Sequence, residues 1–487
     1  MGRSKASLVA TAWAGLALAL AVAAPAQSAA PLTPAEREVI AAGLGGCGEP
    51  SVVVDRLDDD TVLRALADHA RVVLGQRVRP SRVDPLWAIE PPVRDVAAEI
   101  DKARADGTLG AWIQGLAPAH APHRALEAAC RRYEALAAAG GWEGLGEGPV
   151  LREGDVGPQI SALRLRLARE GFALATAEAP ERFGPDLTGS VKAFQQRRGL
   201  DADGVVGPRT RIALNVPVER RLAQILANLE RWRWLPRRLP DDRIDVDTGG
   251  AEARLVAGGE VKLAMKAVVG DPKHKTPMFA SRVDTVVFNP PWVVPPSIAA
   301  AEILPKAARD PGYLARNDFH YVDGRLEQRP GPKSALGVLK FDLPSPFGVY
   351  LHDTPAKGGF ARADRHLSHG CMRLEKPREL AAALLSSQGG SRAGVDAAIA
   401  AGRTSRTALS AKLPLYVMYW SAVVDEAGDL ILRPDPYGWD DELNTALAAA
   451  PRPQAAAAAT NSICLRRGGR TTMAALGRRG RRSREHP

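Results

Sequence analysis

The sequence is poor in cysteine and, after its first 26 residues, contains no long apolar segment. Four cysteines in 487 residues are too few for a fold that depends on a disulfide scaffold. No later stretch is apolar over the roughly 20 residues that a bilayer-spanning helix requires, so no such helix is expected in the body of the chain. A chain of this length exceeds what one hydrophobic core usually serves, which predicts two to four domains.

The body of the chain also carries little net charge. Of the formal charge of +10, Arg3 and Lys5 contribute +2, and residues 465–487, with eight arginines and one glutamate, contribute +7. The remaining +1 or so does not support a nucleic-acid-binding face, and no nucleic-acid partner is expected. Residues 441–487 are Ala- and Arg-rich. We expect this tail to be disordered and solvated, although it could adhere to anionic wall polymers or a membrane surface.

Residues 1–26 have the order of a secretory signal. Arg3 and Lys5 precede an apolar run over residues 8–24, and Ala24-Pro25-Ala26 provides a small-residue cleavage site. The sequence therefore predicts an exported protein, whose contact with a membrane is limited to this segment as a signal or as an uncleaved anchor. Export also permits a Cys47–Cys130 disulfide, which the sequence alone does not establish.

The stretch Ser368-His369-Gly370-Cys371-Met372-Arg373 follows His352 after fifteen intervening residues. A thiol that attacks a carbonyl needs a base to take its proton and N–H groups to receive the negative oxygen. His352 and His369 are candidate partners of the Cys371 thiol. Gly370 lets the backbone approach a substrate closely. Strand alternation in Tyr350-Leu351-His352 places the phenol and the imidazole on one face, near the substrate carbonyl.

This motif and spacing resemble the signature of the YkuD-type L,D-transpeptidases. The run Glu230-Arg231-Trp232-Arg233-Trp234-Leu235-Pro236 is similar to the one that precedes the catalytic domain in the larger Gram-negative, YcbB-like type. The resemblance implies that Cys371 is the nucleophile and His352 the proton acceptor and donor. It also implies that His369 and Gly370 shape the oxyanion site. We assign substrate binding to Tyr350, Ser368 and Arg373. Arg373 could pair with a substrate carboxylate or instead brace Glu375 or Asp364.

Two structural alternatives to a catalytic cysteine remain open. A cysteine without such neighbours is more often an inert core residue. The spacing of His366, His369 and Cys371, with Asp364 nearby, could instead serve a metal, but no fourth ligand is evident. We expect neither a metal nor another cofactor. His274 and His320 lack comparable neighbours and are interpreted as ordinary surface or core histidines.

The chain as a whole is predicted to be a multidomain α+β protein. Residues 31–142 form a helical scaffold, and residues 217–440 form a mainly β catalytic domain with a lid insertion at about 289–328. Residues 150–215 resemble the three-helix peptidoglycan-binding module, most clearly at Phe194-Gln195-Gln196 and Asp203-Gly204; a helical spacer without a ligand is the alternative.

Taken together, the resemblances imply a periplasmic, wall-associated enzyme that acts on peptidoglycan stem peptides. It would form cross-links through a cysteine thioester with release of the terminal D-Ala, and carbapenems would be its inhibitors. An L,D-carboxypeptidase that passes the same thioester to water is the nearest alternative. A wall-binding protein without activity is another.

Overall fold

The computed structural model describes residues 30–49, 52–172 and 179–450. The predicted signal segment, residues 1–26, lies outside the described residues, as does the tail from residue 451. In the part of the chain that is described, no helix combines the length and the apolar character that crossing a membrane requires.

The N-terminal region is helical, as the sequence predicted. Thr33 and Glu36 form a capping box that starts the first helix: each side chain accepts a hydrogen bond from the other residue's main-chain N–H. Pro122 lies in the first turn of the last helix of this region, where its missing N–H costs no hydrogen bond. The helices are α1 (Pro34–Gly43), α2 (Asp59–Val73), α3 (Pro80–Val83), α4 (Val96–Ala105), α5 (Leu109–Gln114) and α6 (Ala121–Ala138).

A disulfide joins Cys47 in the loop after α1 to Cys130 in the middle of α6. The Cα atoms of the two residues are 6.0 Å apart, a usual separation for a disulfide. Both cysteines are buried in an apolar cluster with Ile225 and Leu229. The bridge, which the sequence left open, therefore fastens the scaffold next to the helix that leads into the β domain.

A three-helix module follows: α7 (Pro158–Arg169), α8 (Pro185–Arg197) and α9 (Pro208–Leu214). Each helix begins with a proline, which ends the preceding loop without loss of a helical hydrogen bond. The side chain of Gln195 is buried and donates to Asp203 Oδ1 at 2.7 Å and to Val205 O at 2.9 Å. The Gln195 and Asp203 motif residues thus hold the loop between α8 and α9. The amphipathic helix α10 (Val218–Trp234) then leads to the β domain.

The main sheet of the β domain closes on itself. Its strands and the two helices packed against it are β2 (Arg243–Asp247), β3 (Glu252–Ala257), β4 (Glu260–Gly270), β5 (Met278–Phe288), β9 (Leu339–Asp342), β10 (Leu351–His352), β12 (Met372–Leu374), β13 (Ser405–Met418), α14 (Pro377–Leu385) and α15 (Arg392–Ala400). The strand order is β5-β13-β2-β3-β4-β12-β10-β9, and β9 pairs with β5 as well as with β10. These eight strands consequently leave no free edge among themselves. Their inward side chains and those of α14 and α15 form one apolar cluster.

Two further strands attach to this ring. β11 (His366–Ser368) pairs in parallel with β4. β1 (Trp87–Ala88), from the N-terminal region, pairs in parallel with the start of β5. Trp87 is fully buried against Trp234 and Trp439. One segment of the predicted scaffold, residues 31–142, therefore packs against the β domain and adds a short strand beside the start of β5.

Residues 289–328 form a small unit beside the ring. The antiparallel sheet of β6 (Trp292–Val293), β7 (Phe319–Val322) and β8 (Arg325–Gln328) is joined to three helices, α11 (Pro296–Ile298), α12 (Leu304–Arg309) and α13 (Tyr313–Arg316). A single π-helical turn, Ala299–Ile303, links α11 to α12. We call residues 289–328 the insertion. It has its own apolar cluster, which includes Val294 and Ile303.

The C-terminal part corrects one prediction. β13 lies within the ring, and β14 (Ala422–Val424) and β15 (Leu430–Leu432) form a separate hairpin. The predicted disordered tail from residue 441 is wrong for its first nine residues, because α16 (Trp439–Ala449) is a helix. Its buried Trp439 and Leu443 fix it to the core, an anchoring that Ala-rich composition does not reveal.

Candidate active site

The predicted nucleophile and base lie beside two neighbouring parallel strands. In the pairing of β10 with β12, Leu351 lies opposite Met372 and His352 lies opposite Arg373. Leu351 and Met372 are fully buried in the ring core, so alternation turns His352 and Arg373 to the other face. Tyr350 shares this face, since its ring centroid lies 5.6 Å from that of His352, as the sequence predicted.

The imidazole of His352 is buried, and its hydrogen bond defines its tautomer. Nδ1 bonds to the main-chain carbonyl of Asp353. Because a carbonyl oxygen only accepts, Nδ1 carries the proton and Nε2 is the basic nitrogen. Burial, assisted by the charge of Arg373, lowers the pKa of His352 to about 3. The ring is therefore neutral near pH 7 and can accept a proton at Nε2.

Cys371 is a free cysteine that follows directly on the Gly370 turn. Burial raises the pKa of its thiol above the ordinary value, although hydrogen bonds from the main chain and the phenol of Tyr350 oppose this shift. Near neutral pH the resting thiol is thus protonated, and attack on a carbonyl requires a base to take its proton. The neutral His352 on the neighbouring strand has the required chemistry.

Lys340 is a member of this site that sequence reasoning missed. It lies opposite His352 in the antiparallel pairing of β9 with β10, and its Nζ lies 4.4 Å from the centroid of the Tyr350 ring. Lys340, His352 and Arg373 thus occupy one row across three strands. The two cations lower the pKa of Cys371 and also that of His352. A lysine in β9 gave no motif signal, because only strand pairing brings it to the site.

The loop before the thiol is held by its own hydrogen bonds. The Gly370 N–H donates to Ser368 Oγ at 3.1 Å, and Ser368 Oγ donates to Cys371 O at 2.6 Å. The Gly370 N–H is therefore occupied, whereas the Cys371 N–H has no hydrogen-bond partner among the described residues. Ser368 is buried and uses its hydroxyl proton within the loop. Its hydroxyl thus shapes the loop, and its contact with substrate stays a prediction.

The side chain of His369 points to the insertion rather than to the thiol. Its Nε2 lies 2.7 Å from Glu302 Oε1, and its ring lies 4.5 Å from that of His274. Burial raises the pKa of the Tyr350 phenol above its usual value, and Trp292, also in the insertion, acts in the opposite direction. The insertion thus contacts the motif at His369 and influences the phenol of Tyr350. His274, interpreted from the sequence as an ordinary surface or core residue, lies beside the motif.

Arg373 has no hydrogen bond or ion pair to another described side chain. Both partners that the sequence offered are engaged elsewhere: Glu375 accepts from Lys266 N–H at 3.1 Å, and Asp364 bonds to His366 Nδ1 at 2.8 Å. Burial lowers the pKa of the Arg373 guanidinium, opposed by Cys371 and Glu302. A half-buried guanidinium with unused donors beside a thiol is suited to a carboxylate.

The alternative metal set is not assembled. His366 bonds to Asp364 and to Thr248 O at 2.9 Å, while the His369 side chain bonds to Glu302. Within residues 30–49, 52–172 and 179–450, no group of three or more His, Cys, Asp or Glu side chains is placed to hold a metal ion.

Comparisons with known proteins match two parts of the chain. Residues 241–395 match the family model YkuD, described as "L,D-transpeptidase catalytic domain", a range that holds the full row of site residues. Residues 156–214 match the model described as "Putative peptidoglycan binding domain". The chain carries a YkuD L,D-transpeptidase catalytic domain and a peptidoglycan-binding domain.

Relatives and solved structures match only parts of the chain. A "Putative L,D-transpeptidase" of Haemophilus influenzae is 31% identical over 250 residues, 47% of this chain and 50% of the relative. The N-acetylmuramoyl-L-alanine amidase CwlL of Bacillus licheniformis is 37% identical over 214 residues, 43% of this chain and 45% of the relative. The chain thus spans about half the length of these curated relatives. The L,D-transpeptidase (residues 123–326) from Xylanimonas cellulosilytica is 17% identical, with 56% of this chain and 100% of that chain covered and a TM-score of 0.19, a similarity too low to bear on the fold.

Within the L,D-transpeptidase domain, Asp353 orients the base through its main chain. Its carboxylate is used elsewhere: Oδ2 accepts from Val338 N–H at 3.0 Å and Oδ1 pairs with Lys357. Gly337 makes this possible, because its φ is +61° and an added Cβ would lie 2.4 Å from Asp353 Oδ2. The carboxylate therefore fixes the loop that carries the carbonyl partner of His352.

A cleft of about 1110 Å³ separates the peptidoglycan-binding domain from the L,D-transpeptidase domain. One wall includes Arg209 and the exposed Ile212, and the other includes Asp364 and His366. His366 begins β11, which leads directly into the motif loop. The strand that lines one wall of the cleft therefore continues into the loop that carries Cys371.

Proposed function

We propose that this protein is a peptidoglycan L,D-transpeptidase that forms cross-links through a thioester at Cys371. The observation that carries the proposal is the position of a free thiol directly before one strand and of a buried, neutral imidazole on the adjacent parallel strand. The imidazole has its basic nitrogen defined by the Asp353 carbonyl.

The first half-reaction is acylation of the enzyme. His352 Nε2 takes the proton of the Cys371 thiol as sulfur attacks the carbonyl of the third residue of a donor tetrapeptide. The carbonyl oxygen becomes negative and is stabilised by the unoccupied Cys371 N–H. Collapse of this intermediate breaks the peptide bond, and the departing D-Ala amine receives the proton from His352. A thioester remains.

The second half-reaction transfers the acyl group. The amine of a neighbouring stem attacks the thioester and gives a proton to His352, and the departing sulfur takes that proton back as the thiol re-forms. The product is a 3-3 cross-link. Arg373 pairs with a stem carboxylate, and Tyr350 donates to the sulfur. The insertion covers the thioester through Glu302 and Trp292, which favours an amine over water as acceptor.

The remaining features are consistent with action at the cell wall. A chain with a signal-like N-terminus and a Cys47–Cys130 disulfide fits an exported, periplasmic enzyme. The peptidoglycan-binding domain would hold wall polymer near the catalytic domain, and the cleft between them offers room for it. A carbapenem, which presents a strained carbonyl, would acylate Cys371.

The test is the mass spectrum of products that the purified full-length protein forms from disaccharide-tetrapeptide. Cross-linked dimers with loss of one D-Ala are expected, and Cys371→Ala and His352→Ala should form none. Trimmed tripeptide without dimer would identify an L,D-carboxypeptidase. Absence of both products, together with no mass gain from a carbapenem, would leave a wall-binding protein. An active Cys371→Ala protein would refute the mechanism.

A further inference from the structure

The main chain at Gly370 is fixed by contacts outside the motif. Its φ of +103° lies in the region that favours glycine. Its N–H donates to Ser368 within the motif, but its carbonyl accepts a hydrogen bond from Thr276 Oγ1 at 2.8 Å. Thr276 lies in the β4–β5 connection, 94 residues earlier.

Thr276 is itself held on both sides. It is fully buried, and its Oγ1 accepts from Gly270 N–H at 2.8 Å while donating to the Gly370 carbonyl. A hydroxyl has one proton to donate, so acceptance from Gly270 leaves that proton directed at Gly370. Gly270 has no room for a side chain, because an added Cβ would lie 2.0 Å from His274 O.

Tyr437 completes the network from the C-terminal part of the chain. Its phenol donates to Gly270 O at 2.6 Å and accepts from Thr276 N–H at 3.2 Å. The ring is buried between Tyr419 and Trp439, with centroids 5.2 and 4.8 Å away. Burial raises the pKa of Tyr437 to about 12, so the phenol keeps its donor proton throughout the neutral range.

The network has a direct consequence for the nucleophile. In a trans peptide the carbonyl of one residue and the N–H of the next point in opposite directions. Because Thr276 draws the Gly370 carbonyl into the protein, the Cys371 N–H points away from that interior. This is the N–H that has no hydrogen-bond partner among the described residues.

We infer that Thr276, supported by Tyr437, is a positioning residue that aims the Cys371 N–H at the oxyanion formed during acylation. The inference rests on the proposed acyl transfer and extends it to two residues outside the motif. Neither is expected to touch the substrate. Without the Thr276 hydroxyl, the Gly370–Cys371 peptide could rotate and turn its N–H away from the developing charge.

The experiment compares two reactions of the same sulfur. Acylation by a carbapenem passes through an oxyanion, whereas alkylation by iodoacetamide does not. Both are followed by mass at the Cys371 peptide in the full-length protein. Thr276→Val, which is close to isosteric, should slow acylation by about 10- to 100-fold, somewhat less than complete removal of an oxyanion donor costs. Alkylation and its pH profile should stay within about twofold of wild type.

Control variants separate positioning from general damage. Thr276→Ser keeps the hydroxyl and should restore most of the acylation rate. Thr248→Val removes another fully buried hydroxyl that donates to a main-chain carbonyl, Met418 O at 3.0 Å, and should leave the acylation-to-alkylation ratio unchanged. Tyr437→Phe should lower this ratio less than Thr276→Val does. If Thr276→Val does not fold, Tyr437→Phe takes its place in the comparison of acylation with alkylation.

Three results would overturn the inference. They are equal slowing of acylation and alkylation in Thr276→Val, no slowing of either, and failure of Thr276→Ser to recover. In each of these the wild type still forms an acyl-enzyme, so the proposed function stands. A wild type that alkylates at Cys371 but never acylates would instead refute the proposed function, and this inference with it.

Discussion

Glu302 Oε1 lies 2.7 Å from His369 Nε2, joining the insertion to the residue two positions before Cys371. Both side chains are partly exposed, at 42% and 35%. This contact ties the insertion to the loop that carries the thiol. Glu302 sits in the π-helical turn Ala299–Ile303, and such turns often occur at functional sites.

Loss of this contact should change how the thioester is used. Glu302→Gln keeps the size of the side chain but removes its charge, and an exposed contact of this kind is worth about 1 kcal/mol or less. We therefore expect the ratio of hydrolysed tripeptide to cross-linked dimer to rise by up to about fivefold, because a looser insertion admits water. The ratio is measured by quantitative mass spectrometry of products from tetrapeptide stems.

The insertion provides a matched control in Glu327, which faces His320 at 3.9 Å. Glu327→Gln removes a glutamate from another Glu–His pair of the same unit and should leave the product ratio unchanged. An equal rise in both variants would show that the ratio reports the stability of the insertion rather than the contact with His369.

The sequence predicted the residues of the active site better than their interactions. His352, Tyr350 and Cys371 were found because a motif and strand alternation depend only on local order. The contribution of Lys340 depends on which strands pair, and that of Glu302 on how the insertion folds back. Neither relation is encoded in local spacing. The hydrogen bond from the Gly370 N–H to Ser368 Oγ was not predicted either, because it depends on how the loop folds.

The same distinction applies to the fold. The helical character of residues 31–142 and the mainly β character of residues 217–440 were predicted from the sequence. Closure of the ring was not, since it requires β9 to pair with β5, more than 50 residues earlier in the chain. Trp87 was assigned to the scaffold, yet it packs in one apolar cluster with residues of α10, α16 and the strands β5 and β13. Both features depend on contacts between residues that are far apart in the sequence.

The pH dependence of acylation should follow the burial of His352. Because its pKa is lowered to about 3, protonation of the base should not reduce the acylation rate between pH 7 and pH 5.

Arg373→Gln removes a charge that lowers the pKa of both His352 and Cys371. In this variant the acid limb should move to higher pH, and the pH at which iodoacetamide alkylation rises should also increase.

Arg373→Gln should also raise KM for the stem roughly 10-fold, the scale of one charge-assisted hydrogen bond. The control is Arg282→Gln, a surface change in the same domain at a residue that pairs with Asp284 at 3.1 Å. Rates are measured from pH 4.5 to 9 with a carbapenem and separately with the stem substrate. A wild-type acid limb near pH 6.5 would contradict the assignment of a buried, neutral His352.

The disulfide should stabilise the scaffold without affecting the chemistry. It links residues 83 positions apart, and closing a loop of that length in the unfolded chain is worth about 4–5 kcal/mol in the chain-entropy model. Observed contributions are usually smaller, so Cys47→Ala/Cys130→Ala should lower the free energy of unfolding by about 2–4 kcal/mol. Urea titration measures the loss, and Cys371 alkylation should keep its wild-type rate below the transition. A faster alkylation would show that the scaffold shields the active site.

Acid stability should depend on His123 in α6. The ring is buried and neither of its nitrogens has a hydrogen-bond partner within the described residues. Burial lowers the pKa of His123 to about 3, whereas in the unfolded chain it is about 6.5. Between these values the unfolded state binds the additional proton, so stability is present above pH 6.5 and declines as the pH falls toward 3.

Replacing His123 should therefore flatten the pH dependence of folding. At pH 4.5, two units below the unfolded pKa, the ring costs about 3 kcal/mol relative to neutral pH. In His123→Leu the difference in unfolding free energy between pH 7.5 and pH 4.5 should shrink by about this amount, as measured by urea titration at both pH values. His123→Gln, which keeps a polar group but does not titrate, should shrink it equally even if it is less stable at pH 7.5. If both variants retain the wild-type difference, His123 is protonated in the folded protein, and another buried group, such as His352, must account for the acid sensitivity.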